Sequence, residues 1–87
     1  GLSFTAFPNP FNEKADINYT LPENGMVKLC VYNVLGELVS ILVDENQQIG
    51  KHSVVFAAKN YPAGMYTFKL EFTGLKESKC QILKLVH

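Results

Sequence analysis

The feature that most constrains this chain is a strict alternation near its end, where Tyr66, Phe68, Leu70 and Phe72 take turns with Thr67, Lys69, Glu71 and Thr73. A period of two sends successive side chains to opposite faces, so the segment reads as a strand with one face on a core and the other in water. It follows the turn chemistry of Asn60-Tyr61-Pro62-Ala63-Gly64 and precedes a lysine-bearing tail, Lys79-Cys80-Gln81-Ile82-Leu83-Lys84.

Strand-like segments of this kind recur along the chain, separated by Gly, Pro, Asn and Asp, at the spacing expected of an all-β sandwich. The expected strands are Leu2 to Phe7, Ala15 to Leu21, Met26 to Asn33, Leu38 to Val43, His52 to Ala57, Gly64 to Thr73 and Lys76 to Leu85. The first is stopped by Pro8-Asn9-Pro10, which lacks two ladder donors, and this reads as a stiff corner with Phe11 buried behind it. Asn33-Val34-Leu35-Gly36-Glu37 is a short connection whose Asn and Gly can supply positive φ. Asp44 to Lys51 reads as a polar loop, and Val54 and Phe56 as an inward pair on the fifth strand. Ser40 to Val43 and the last strand are apolar at both parities, so period alone does not orient them. No segment has a helical period, and no internal repeat is present. The expected architecture is a seven-stranded antiparallel β-sandwich, immunoglobulin-like or fibronectin III-like, with residues 1–87 as one domain.

Composition narrows the function. A domain of 87 residues buries only ~60 to 65% of its unfolded surface, which leaves little room for a deep substrate cavity. Eight basic residues, all lysine, balance eight acids. With no arginine the fork-shaped donor suited to phosphate and guanine is missing, so nucleic acid is a poor partner. The longest apolar run, Val54 to Ala58, falls far short of the ~20 residues of a spanning helix, and no membrane insertion is expected. Gly1-Leu2-Ser3 does not read as a signal peptide, so an export signal, if there is one, is expected upstream. Cys30 and Cys80 are too few for a disulfide framework. Cys30 shares parity with Lys28 and Tyr32, opposite Val27, Leu29 and Val31, and two free thiols are favoured over a Cys30–Cys80 bridge.

Catalytic chemistry is sparse. His87 is terminal and reads as frayed, while His52 and Ser53 are strand neighbours that point to opposite faces and cannot form a Ser–His pair. Asp44-Glu45 lacks the spacing and glycine of a calcium loop and reads as solvated. No metal or other cofactor is expected. The tyrosines do not make a sugar-stacking platform: Tyr19 and Tyr66 fall on apolar parities, Tyr61 in a turn, and only Tyr32 faces outward. Tyr66 suits a tyrosine corner, its hydroxyl returning to the backbone a few residues upstream. Lys76, Lys79 and Lys84 carry two readings of equal weight: lysines that discourage edge-to-edge aggregation, or the surface that a partner inspects.

An ordered series of motifs covers nearly the whole chain. Phe7-Pro8-Asn9-Pro10-Phe11-Asn12 is followed by Ile17-Asn18-Tyr19-Thr20-Leu21-Pro22, then by Val31-Tyr32-Asn33-Val34-Leu35-Gly36-Glu37-Leu38-Val39, by Val54 to Asn60, by Gly64-Met65-Tyr66 with Leu70, and by Lys79 and Lys84. The series resembles the type A C-terminal sorting domain of type IX secretion cargo, a family also similar to the immunoglobulin-like domain of the flagellar hook-capping protein. Cys80 departs from the family's usual Met or other apolar residue, and Leu85-Val86-His87 extend past the last matching lysine.

The resemblance implies a non-catalytic domain joined to an upstream cargo, passing through the periplasm to the cell surface or medium. Its implied partners are the outer-membrane translocon, with Lys79, Lys84 and Lys76 as recognition residues, and a sortase-like peptidase that removes it at or before its start. Pro8, Asn9, Pro10, Phe11, Gly36, Gly64, Tyr66 and Leu70 are its implied structural motif. The competing reading is a passive spacer or carbohydrate-binding accessory of an extracellular hydrolase.

Overall fold

The computed structural model describes residues 1–87, in which seven strands and no helix form. They are β1 (Ser3–Phe7), β2 (Lys14–Leu21), β3 (Gly25–Tyr32), β4 (Leu38–Gln47), β5 (Gly50–Ala57), β6 (Met65–Gly74) and β7 (Ser78–Val86). Every pairing is antiparallel. One sheet has the order β1-β2-β5 and the other β4-β3-β6-β7, so the expected antiparallel sandwich is what the chain builds. The fourth strand lies beside the third, whereas in a constant-type immunoglobulin domain it joins the sheet of the first, second and fifth.

Alternation explains the core. Phe4, Ala15, Ile17, Tyr19, Leu21 and Phe56 point inward from the smaller sheet, and Val27, Leu29, Val31, Tyr66, Phe68, Leu70, Phe72 and Leu85 from the larger. Val54 packs against this core beside Phe56, as expected. Phe11, beyond the proline corner, is buried at its centre and meets Phe56, Tyr66 and Phe68 edge-on. Gly36 alone supplies the positive φ (81°) of the β3–β4 turn; Asn33 contributes through its side chain, whose Oδ1 accepts from Leu35 and Glu37 N–H.

One strand boundary differs from expectation. Asp44 to Gln47 is not a loop: it is the second half of β4, paired with Gly25–Lys28 so that Asp44 faces Lys28. The end of this edge strand is held by its ladder on one side while Asp44, Glu45 and Asn46 are exposed, so it tolerates a polar run that period cannot identify as strand. The double-parity apolar run of β4 reflects register shifts at Leu29/Cys30 and Val31/Tyr32, which re-aim side chains. Val39, Leu42 and Val43 therefore pack on the core while Leu38 and Ile41 stay exposed. In β7 both faces are apolar because Leu83 and Leu85 point inward while Ile82 and Val86 lie on the outer face.

Candidate functional site

The β6–β7 hairpin is held at both ends by residues remote in sequence. At its turn, Glu23 receives three backbone amides: Oε1 accepts from Leu75 (3.0 Å) and Lys76 (3.2 Å), and Oε2 from Lys76 (2.9 Å) and Glu77 (3.0 Å). Bonds to an ionised acceptor are roughly twice as strong as neutral ones, so one carboxylate fixes a turn that would otherwise be free. A Cβ at Gly74 would lie 2.5 Å from the Glu23 carboxylate and would displace it from the turn.

At the other end the Pro8-Asn9-Pro10-Phe11 corner holds β7. Asn9 Oδ1 accepts from Val86 N–H (3.0 Å), and Phe11 N–H donates to the Val86 carbonyl (2.8 Å). His87 is docked, not frayed. It exchanges two main-chain bonds with Gly64 (2.8 and 3.0 Å). Its ring stacks on Phe11 at 4.8 Å, and its Nε2 meets the carbonyls of Ala58 (2.9 Å) and Tyr61 (3.1 Å). Those acceptors lie 26 and 29 residues away, so no local pattern announces them.

Tyr66 forms the expected corner, its hydroxyl donating to the Pro62 carbonyl four residues upstream (2.6 Å). Burial, then the neighbouring Tyr61, raises the Tyr66 pKa above the usual tyrosine value. Tyr19 is also raised, by burial first and then by Glu45, against a hydrogen bond with Gln47 that lowers it. Tyr61 donates to Val39 O (3.1 Å). Three of the four tyrosine hydroxyls are thus occupied within the fold.

Between these clamps lies the last strand. Phe72 pairs with Lys79 and Thr67 with Lys84. Lys79 therefore shares the inward parity of Leu83 and Leu85, and Lys84 shares the outer face with Ile82 and Val86. Both lysines are exposed. Neither takes part in an ion pair, the two pairs present being Lys14–Asp16 and Lys69–Glu71. Lys69 is held in its charged form by Glu71. Lys76 sits in the turn, its amide bound by Glu23 and its side chain exposed. The structure thus brings Lys76 and Lys79 to one end of the hairpin, and separates Lys84 from Lys79 by face.

Elsewhere little converges. Ser53 Oγ donates to Asn18 Oδ1 while His52 Nε2 meets Gln48 O and its ring stacks on Tyr19, so serine and histidine are apart. No three His, Cys, Asp or Glu side chains gather as metal ligands. Cys30 is buried and Cys80 exposed, both free. They share the outer face but straddle β6, Cys30 opposite Lys69 and Cys80 opposite Glu71. Two strand spacings, ~9.6 Å, exceed disulfide reach. An open groove of about 580 Å³ is lined by Asn24, Gly25, Asn46, Gln47, Gln48, Thr73, Gly74 and Leu75, none of which can act as acid, base or nucleophile near neutral pH apart from a hydroxyl without a base.

The family model described as "Secretion system C-terminal sorting domain" matches residues 5–84. The chain belongs to that family. It is therefore a C-terminal sorting signal of type IX secretion, a role that goes with an upstream cargo destined for the cell surface or the medium and that suggests no enzymatic activity. No curated protein matches the chain. The sorting domain holds its hairpin with residues that sequence reasoning missed, Glu23 and His87. Glu23 was legible only as part of a turn, since its partners lie 52 to 54 residues on.

Proposed function

We propose that residues 1–87 act as one non-catalytic address label at the end of a larger secreted protein, read on its terminal hairpin by the outer-membrane translocon. The observation that carries this reading is the hairpin itself: distant groups clamp it at both ends, while Lys79 and Lys84 stand exposed and unpaired on opposite faces of its last strand. A folded, pre-organised surface costs its receptor little ordering entropy. Unpaired cations at its rim favour choice of partner over raw affinity. Lys79, Lys84 and Lys76 are the recognition residues of this reading. Pro8, Asn9, Pro10, Phe11, Gly36, Gly64, Tyr66 and Leu70 hold the surface in shape.

In the same reading the domain crosses the periplasm folded, and a sortase-like peptidase then releases it from its cargo at or before its start. The test is the Lys79→Ala, Lys84→Ala double variant fused behind a signal peptide and fluorescent reporter in a type IX-competent bacterium. Thermal unfolding should shift by no more than ~0.5 kcal/mol, the usual range for exposed sites, while export falls. Unchanged export would remove the lysines from recognition, and joint loss of folding and export would assign them to packing.

A further inference from the structure

The phase of the β6–β7 ladder decides what the outer edge of β7 offers. Gly64 and His87 exchange both main-chain bonds, and Gly74 N–H donates to Glu77 O. In an antiparallel pair, bonded and non-bonded positions alternate. Lys79, Gln81, Leu83 and Leu85 therefore turn their N–H and C=O toward β6, and Ser78, Cys80, Ile82, Lys84 and Val86 turn theirs away. Val86 is already taken by Asn9 and Phe11. The other four keep both groups unpaired, over ~20 Å of strand at the usual rise per residue.

Folds usually disarm such an edge. β4, at the far side of the same sheet, carries two register shifts, and β1 is only five residues long. β7 runs nine residues in unbroken register without a proline. Its outward residues Ser78, Cys80, Ile82 and Lys84 are all exposed, and Ile82 is 55% exposed.

We infer that β7 accepts one added strand from a partner polypeptide, paired between Ser78 and Lys84 and stopped at Val86 by the Asn9–Phe11 clamp. Alternating donors and acceptors along an extended line are complementary to another extended backbone. The positions of the lysines favour an approach along the edge over one onto a face: a strand beside β7 has neighbours on both faces, so it passes Lys79 on one and Lys84 on the other. The partner segment is extended, apolar where it passes Ile82, and acidic where it passes Lys84. This inference rests on the sorting reading and specifies how the translocon would read the domain.

The test compares backbone with side chain. Ile82→Pro deletes an outward N–H and no β6–β7 bond, the position at which an edge strand tolerates proline; Ile82→Thr keeps the N–H and strand preference. Export of the reporter fusion should fall by roughly tenfold or more for Ile82→Pro, the equivalent of one lost hydrogen bond and a displaced strand, and stay within about twofold for Ile82→Thr. Cys80→Pro is the second variant should Ile82→Pro melt early. Independently, amide exchange of the unmodified chain with detergent-solubilised translocon from a type IX-competent bacterium should slow at Ser78, Cys80, Ile82 and Lys84. Unchanged exchange at those amides in the bound chain, a proline variant exported like the parent, or equal losses for proline and threonine would overturn the inference. Slowing without translocon, with dimers in solution, would assign the edge to a second copy and overturn it too. Failure of the unmodified fusion to leave the cell would instead sink the sorting reading, and this inference with it.

Discussion

The two edges of the four-stranded sheet are built on opposite principles. β4 is bulged twice, and its second half carries Asp44 and Glu45. Those are the devices by which sheets avoid adding strands. β7 is regular in register: along its length it carries no bulge and only the charges of Lys79 and Lys84, and it is clamped at its ends by Glu23 on the turn before it and by Asn9 and Phe11 on its last residue. A chain that only needed to stay monomeric would gain from disarming both edges. The difference points to β7 as the edge the molecule keeps presentable, and to the opening corner as the part that holds it so.

The hardest way to break that contrast is to remove its common support. Phe11→Ala empties the centre of the aromatic cluster and takes away the surface on which His87 stacks, at a cost of ~3–5 kcal/mol. Tyr66→Ala should cost ~3 kcal/mol or more. In both, denaturant unfolding and export should fail together. Glu23→Gln separates the edges: it replaces a charged acceptor of three turn amides and should cost ~1–3 kcal/mol. Exchange at Leu75, Lys76 and Glu77 should quicken while β4 amides keep their rates. Asn9→Ala should cost ~1 kcal/mol and be visible mainly as faster exchange at Val86.

Tyr19 and Tyr66 both have pKa values raised above 10.0, burial being the first cause. Below that value they are neutral in the folded and unfolded chains alike, and their contribution is intact. Above it the unfolded chain ionises first, so stability declines as pH rises through the folded-state values. Alkaline melts should show this decline, and Tyr66→Phe should make it shallower while costing ~1 kcal/mol at neutral pH for the lost bond to Pro62.

What the sequence disclosed follows the range of the forces involved. The strand at Tyr66–Phe72 and the return of the Tyr66 hydroxyl to backbone a few residues upstream were legible because a period of two and a tyrosine corner are local. Phe11 was legible as buried because two prolines fixed the corner before it. The end of β4 was not, since Asp44 to Gln47 is strand only by virtue of Gly25–Lys28 across the ladder. Glu23, Asn9 and His87 act across 26 to 77 residues, where no spacing rule reaches. The two lysines were found as residues, and their odd spacing already sets them on opposite faces; which of them takes the inward parity depends on the register of β7, which a strand apolar at both parities conceals.

The central claim is that this domain carries cargo out of the cell. Its most direct test is to follow the unmodified chain, fused behind a signal peptide and a fluorescent reporter, in a type IX-competent bacterium and in a strain lacking the translocon. Reporter should appear outside the competent cells, and folded reporter should be held in the periplasm of the deficient strain. Folded reporter retained in the periplasm of both would contradict that claim.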